Sequence, residues 1–109
     1  MIKAVIYARY SSSSQTEQSI EGQLCVCREF AERNGYLIVK EYIDRAKTGT
    51  NDNRPAFQQM LYDSKQRTFE AVLVYKLDRF ARNRYDSAIN TMALSKNGVK
   101  VIVGNRKHI

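Results

Sequence analysis

The sequence is poor in the side chains that most often build metal sites and acid–base triads. Its 109 residues include one histidine, His108, which lies next to the C-terminus. A histidine-based metal cluster or a Ser-His-Asp triad is therefore hard to build. The two cysteines, Cys25 and Cys27, lie two residues apart in a helical pattern, which turns their side chains about 200° away from each other. We expect neither a disulfide nor a metal site there.

Long apolar runs are absent as well. No stretch approaches the roughly 20 apolar residues that span a bilayer, and the N-terminus lacks the long apolar segment of a secretory signal. We therefore expect a cytoplasmic protein.

Acidic residues are scarce relative to basic ones. Eleven Asp and Glu stand against eighteen Lys and Arg, which leaves a net charge of +7 on a chain long enough for only one domain. Such an excess favours polyanionic partners through counterion release and electrostatic steering. Since many basic proteins bind no nucleic acid, the charge alone does not assign a function.

Strand-like and helical patterns alternate along the chain. Apolar runs predict strands at 2–8, 36–43, 71–75 and 99–103. Helical periodicity predicts one helix from about Glu17 to a stop at Asn34-Gly35, and another that begins at Pro55. The first helix is expected to have one apolar face of Ile20, Leu24, Cys27 and Ala31. A third helix is predicted to bury a stripe of Tyr85, Ala88, Ile89 and Met92 and to end at Asn97-Gly98. The alternation predicts an α/β fold of three layers, α/β/α, with a central, mainly parallel four-stranded sheet.

The segment from Asp44 to Arg54 carries almost nothing apolar. We expect it to be a mobile loop that cannot be buried. In parallel sheets, ligands and chemistry gather outside the carboxyl ends of the strands. Ser11, the 48–54 loop and the 78–82 segment all follow predicted strands, so we expect them to meet at one edge.

The end of the first strand combines a cation and a hydroxyl. Arg9 lies two residues before Ser11, so both side chains can leave the sheet edge in the same direction. Clustered guanidinium groups can stabilise an alkoxide and hold the negative charge of a phosphate under attack. The plain alternative is that the serine run at 11–14 is a flexible loop tip.

A second basic motif follows the third strand. Asp78, Arg79 and Arg82 share one helical turn, so the carboxylate can orient the guanidinium groups or donate a proton to a leaving oxygen. The alternative is an acidic helix cap beside solvated arginines. That alternative explains the arginines poorly, because cations are disfavoured at a helix N-terminus.

Taken jointly, these motifs resemble the catalytic domain of the serine recombinases, the resolvase and invertase family, within it the large integrase and transposase branch. The resemblance rests on four segments in the family's order, and it covers essentially the whole chain. They are Tyr7-Ala8-Arg9-Tyr10-Ser11-Ser12, Gln18-Ser19-Ile20-Glu21-Gly22-Gln23, Thr48-Gly49 with Asn53-Arg54-Pro55, and Tyr75-Lys76-Leu77-Asp78-Arg79-Phe80-Ala81-Arg82.

The resemblance implies a reaction and a set of residues. Ser11 would attack a phosphodiester of double-stranded DNA and form a 5′-phosphoseryl bond, after which strands exchange and are religated. The implied catalytic set is Ser11, Arg9, Arg79, Arg82 and Asp78. The implied phosphate-binding or supporting positions are Arg54, Gln18, Gln23, Thr48 and Gly49. Neither a metal nor another cofactor is implied.

The family pattern also predicts what surrounds this domain. Its catalytic domains continue into a long oligomerisation helix and separate DNA-binding domains, so we expect residues 1–109 to be a truncated catalytic domain. The full-length protein would be a bacterial or phage-encoded homodimer or tetramer. Two alternatives stay open at this point: a metal-free, serine-dependent nuclease or phosphohydrolase, and a flavodoxin-like binding module with Asp44 or Asp78 at a strand end.

Overall fold

The computed structural model describes residues 2–11, 20–46, 54–76, 80 and 84–104. These residues form strand β1 (Ile2–Ser11), helix α1 (Ile20–Asn34), strand β2 (Tyr36–Ala46), helix α2 (Pro55–Ser64), strand β3 (Ala71–Val74), helix α3 (Arg84–Lys96) and strand β4 (Lys100–Val103). Among them, the strands make one parallel sheet in the order β2-β1-β3-β4. The predicted α/β class is confirmed.

Strand β1 lies in the interior of the sheet and is covered on both faces. Its residues Ala4 to Ala8 are fully buried. Because side chains alternate along a strand, Val5 and Tyr7 pack in the core on the side of α2 and α3, while Ala4, Ile6 and Ala8 pack against α1. This double coverage explains why the sequence of β1 reads as a continuous apolar run.

Helix α1 buries the face that its periodicity predicts. Ile20, Leu24, Cys27 and Ala31 are buried, and Gln23 lies among them. Cys25 is exposed and Cys27 is buried, so the two thiols do point apart as predicted. Burial raises the pKa of the Cys27 thiol to about 12. In the described part of the chain, no helix combines the length and the apolar character that a membrane span requires.

Helix α3 ends at the predicted glycine stop. Gly98 has a φ of +76°, a left-handed conformation that strains residues with a Cβ. The Val99 amide donates to the Leu94 carbonyl at 3.0 Å and the Gly98 amide donates to the Ser95 carbonyl at 2.9 Å. These two bonds form a Schellman motif, which satisfies carbonyls that the helix end leaves open.

The predicted inward stripe of α3 is wrong. Tyr85, Ala88, Ile89 and Met92 are exposed, and Tyr85 is 78% accessible. The helix instead turns Leu94 inward, with the half-buried Ser87 and Asn90 on the same face at helical spacing. Two of these three positions are polar, so the hydrophobic pattern indicated the opposite face of the helix.

The predicted loop from Asp44 to Arg54 is also partly wrong. Strand β2 continues to Ala46, and both Asp44 and Arg54 are buried, with 6% and 9% of their surface exposed. The reason is that β1 runs on to Ser11 and pairs with β2 along its whole length. Residues 47–53 lie outside the described part of the chain.

Candidate active site

The carboxyl ends of β1 and β2 form the edge where the sequence places its candidate residues. Arg9 pairs in register with Asp44, and Ser11 pairs with Ala46. The pairing of β1 with β3 stops earlier, at Tyr7 and Val74. Strand β1 therefore extends beyond β3 toward this edge and carries Arg9 with it.

Gln23 of α1 holds the main chain of Arg9. Its side-chain Nε2 donates to the Arg9 carbonyl at 3.0 Å, and the Arg9 amide donates to its Oε1 at 3.2 Å. The side-chain amide thus offers Arg9 the donor and acceptor that a neighbouring strand would supply, at a point where β3 pairing has ended. Gln23 is fully buried. The sequence predicts a supporting role for Gln23, and this geometry fits it.

Asp44 is the buried acid at the centre of the edge. Its carboxylate accepts the Tyr7 hydroxyl at 2.8 Å, the Ala56 amide at 2.9 Å and the Phe57 amide at 3.1 Å. The two amides belong to the first turn of α2, whose N-cap residue Arg54 makes no side-chain capping bond. Asp44 therefore caps α2 from a different strand, and its negative charge faces the positive end of the helix dipole.

The Tyr7 hydroxyl is held in its neutral, donating form. Burial is the main reason that the pKa of Tyr7 is raised far above its ordinary value, and the hydrogen bond to Asp44 and the charge of that carboxylate add to the rise. The positive charges of Arg54 and Arg9 oppose it. Both guanidinium groups therefore act electrostatically on the same phenol, and both belong to residues that the family resemblance implies for the site.

Arg54 is buried at the start of α2. Its Nη1 donates to the Phe80 carbonyl at 2.8 Å, and its Cζ lies 4.0 Å from the centre of the Phe57 ring. A guanidinium is planar and weakly hydrated, so it can stack on an aromatic face while it donates in its own plane.

Three aromatic rings connect these elements beneath the edge. Tyr7 and Phe57 meet edge to face, with ring centres 5.1 Å apart and an interplanar angle of 65°. Phe57 and Phe80 meet similarly at 5.3 Å and 71°. All three side chains are fully buried. The end of β1, the first turn of α2 and Phe80 are thus packed together as one unit.

The structure describes the side chains of three predicted site residues: Arg9, Gln23 and Arg54. Arg9 and Arg54 both lie near Tyr7, whereas Gln23 supports Arg9 from the α1 side. For Ser11, the main chain lies at the end of β1, and its side chain is outside the described set. The remaining predicted residues also lie outside it: Gln18, Thr48, Gly49, Asp78, Arg79 and Arg82.

Sequence reasoning gave no role at this site to Tyr7, Phe57 or Phe80, and it considered Asp44 only for a flavodoxin-like alternative. One signal for Asp44 was present. Arg54-Pro55 starts a helix without a Ser, Thr, Asp or Asn at the capping position, so the capping group had to come from elsewhere in the chain.

The arrangement suits the binding of an anion at this edge. The positive charges of two arginines act on the buried Tyr7, and the carboxylate bonded to that tyrosine, Asp44, already accepts three hydrogen bonds. The Asp44 carboxylate is therefore bonded to the Tyr7 hydroxyl and to the amides at the start of α2. Guanidinium groups are the usual protein partners of phosphate.

Comparison with known proteins gives the family. Residues 4–109 match the protein family described as "Resolvase, N terminal domain". Among curated protein sequences, none matches the chain significantly.

Solved structures include several similar folds. A resolvase family site-specific recombinase from Streptococcus pneumoniae is 38% identical with a TM-score of 0.83, over 94% of this chain and 72% of that one. The N-terminal catalytic domain of TP901-1 integrase is 33% identical with a TM-score of 0.81, over 94% of this chain and 77% of that one. The C-terminal catalytic domain of ISC1926 TnpA, an IS607-like serine recombinase, is 33% identical with a TM-score of 0.80, over 94% and 70%.

Proposed function

This chain belongs to the resolvase N-terminal domain family and has the catalytic function of a site-specific DNA recombinase, and we propose that Ser11 is the nucleophile of its DNA-cleavage step. The observation that supports this assignment is the main-chain position of Ser11 in β1. It lies two residues beyond Arg9 and in register with the end of β2. DNA is the substrate that the family implies.

The proposed reaction is a transesterification. The Ser11 oxygen forms a bond to the phosphorus of a DNA phosphodiester while the bond from phosphorus to the 3′-oxygen breaks. The hydroxyl gives up one proton and the leaving oxygen gains one, so the step is balanced and yields a 5′-phosphoseryl ester and a 3′-hydroxyl. In religation, a 3′-hydroxyl attacks the ester and releases the serine.

The cations have separate proposed roles. Arg9 would contact the scissile phosphate, and Arg79 and Arg82 would complete the positive cluster that stabilises the charge in the transition state. Asp78 would orient those arginines or protonate the leaving oxygen. Arg54, Gln18, Thr48 and Gly49 stay predicted as phosphate-binding or supporting positions. The described geometry supports the placement of Arg9, because Gln23 and Asp44 hold its strand on either side.

Two further points are part of the proposal. We infer that residues 1–109 form the catalytic domain of a longer recombinase that works as a dimer or tetramer in the cytoplasm, as the family resemblance implies. Chemical crosslinking of the full-length protein on DNA would test the assembly, and a purely monomeric product would contradict it.

A covalent-trapping experiment tests the nucleophile. The full-length protein is incubated with a library of random-sequence DNA duplexes, denatured in detergent, and examined for DNA that remains attached. We expect attached DNA with the wild type and with the matched control Ser12→Ala, and none with Ser11→Ala. Adduct formation by Ser11→Ala would refute the assignment. Sequencing the recovered DNA would give a site on which religated, exchanged ends distinguish recombination from the permanent nicks of a nuclease.

A further inference from the structure

Arg54 makes an unusual contact for a residue predicted to bind DNA. The residue is 9% exposed, and its guanidinium stacks on Phe57 and donates to the main-chain carbonyl of Phe80 at 2.8 Å. A buried cation is costly unless hydrogen bonds and favourable electrostatics replace its water. Here a carbonyl oxygen and a ring face provide that replacement, so at least part of the guanidinium is committed to the protein itself.

Hydrogen bonds hold the main chain at the start of the Arg54 side chain. Arg54 directly precedes the first turn of α2, which Asp44 caps through two main-chain amides, and the Gln58 amide donates to the Arg54 carbonyl at 2.9 Å. Phe57, under the guanidinium, is fully buried. The starting point of the Arg54 side chain is therefore determined by the pairing of β2 and by the helix, independently of DNA.

The other end of the contact lies inside the basic motif. Phe80 is fully buried and packs edge to face on Phe57. Its chain neighbours within two positions include Asp78, Arg79 and Arg82. Since consecutive Cα atoms are about 3.8 Å apart, holding the main chain of Phe80 limits how far those three residues can lie from it.

We propose that Arg54 is a positioning residue, which sets the location of the Asp78–Arg82 motif relative to the nucleophile-bearing end of β1 by holding the Phe80 carbonyl. The inference rests on the proposed function of that motif. Three contacts in series make this connection. Strand pairing between β1 and β2 positions Asp44, Asp44 caps the start of α2, and Arg54 extends from that start to Phe80.

This role differs from a direct phosphate contact in what it predicts. Loss of a phosphate contact weakens binding and reduces the salt dependence, by about 0.9 in the slope of log K against log salt for B-DNA. Loss of a positioning contact leaves that slope unchanged and slows the chemical step, since misplacement by about 1 Å can cost about 100-fold in rate.

The test compares Arg54→Lys with the wild-type full-length protein. Lysine keeps the positive charge that a phosphate needs, but it lacks the planar fork that stacks on Phe57 while donating to a carbonyl. The matched control is Arg28→Lys, at an exposed arginine of α1 that pairs with Glu41. The DNA probe is a duplex recovered from the random library by wild-type trapping.

Three measurements are made. We expect Arg54→Lys to slow covalent attachment about 100-fold, to leave the salt slope of non-covalent binding unchanged, and to weaken the ring-to-ring proton contacts of Phe57 and Phe80 seen by NMR with labelled phenylalanine. The control should match the wild type in all three. An Arg54→Lys protein with a near-normal rate, or with intact ring contacts, would overturn the proposal, and so would a lower salt slope in Arg54→Met.

The design separates the two levels of inference. If the wild type forms no adduct with any duplex, the proposed nucleophilic function fails, whereas the NMR arm still decides whether Arg54 holds Phe80. If Arg54→Lys unfolds, Arg54→Met is used instead, because methionine keeps an unbranched stem over Phe57. Weakened contacts between the Phe57 and Phe80 rings in Arg54→Met would support the proposal, and intact contacts would overturn it.

Discussion

Gln23 binds Arg9 through both ends of its side-chain amide, so a residue of α1 completes the hydrogen bonding of β1 at the point where β3 no longer does so. The bond pair is partly buried, and it holds the main chain two residues before Ser11. The local order of the candidate nucleophile thus depends on a helix that contributes no charge to the site.

Replacing Gln23 tests this support. We expect Gln23→Ala to lower the free energy of unfolding by about 1–3 kcal/mol, because it leaves the Arg9 amide and carbonyl without their partner. Urea denaturation measures the change. The exposed Gln58 of α2 offers the matched control, and Gln58→Ala should stay within about 0.5 kcal/mol of the wild type. Equal effects at the two positions would show that the Gln23 amide contributes nothing specific.

Tyr7 and Asp44 should be energetically coupled. We expect Tyr7→Phe to cost about 1 kcal/mol and Asp44→Asn to cost more, since Asp44 also accepts the Ala56 and Phe57 amides. In a double-mutant cycle, the coupling energy should be about 0.5–3 kcal/mol. Additive effects of the two substitutions would mean that the hydrogen bond between them does not stabilise the fold.

Asp63 should make stability depend on acid pH. The hydrogen bond from Tyr42 is the main reason that the pKa of Asp63 is lowered from its ordinary value of 3.8, and Gln59 and Lys40 lower it further against the opposing effect of burial. A lowered native pKa means that the stabilisation is complete above the unfolded-state pKa and is lost as the pH falls through the native one.

Asp63→Asn should therefore be less stable than the wild type near pH 7, with a difference that shrinks below about pH 4. Urea midpoints measured from pH 2 to pH 7 check this. Glu32→Gln, at an exposed position of α1, also removes one carboxylate charge and serves as the control. At pH 7 its urea midpoint should lie closer to that of the wild type than the midpoint of Asp63→Asn does. A gap for Asp63→Asn that stays constant with pH would contradict the prediction.

The two faces of α3 should respond differently to truncation. We expect Leu94→Ala to destabilise the protein by about 2–5 kcal/mol, because Leu94 is fully buried. Ile89→Ala, at a side chain that is half exposed, should cost less than about 1 kcal/mol. Thermal or urea unfolding of the two variants compares them directly. A larger loss of stability in Ile89→Ala than in Leu94→Ala would mean that the face predicted from the sequence pattern is the inner one.

Those two α3 residues show where sequence reasoning lost accuracy. Periodicity correctly located the helix, yet it chose the more apolar face as the inner one. Which face is buried depends on how the helix crosses its neighbours, and polar residues such as Ser87 and Asn90 can occupy the covered side. Helix α1 was predicted well by comparison, because its buried positions are mostly apolar and leave one choice of face.

The loop prediction failed for a related reason. The stretch after Ile43 has almost no apolar residues, and a composition of that kind usually indicates an exposed segment. Asp44 is buried nonetheless, since three donors from β1 and α2 satisfy its carboxylate. None of those donors is closer than 12 positions along the chain, so a local window contains no sign of them.

By itself, the sequence determined the order of strands and helices, the helix stop at Gly98, the basic character of the protein and the motifs that indicated its family. These properties depend on residues a few positions apart. Only the tertiary structure decided that Asp44 caps α2, that Gln23 completes β1 and that Arg54 holds Phe80. Such contacts join segments 12 to 37 positions apart, and their partners become defined only when the chain has packed around its sheet.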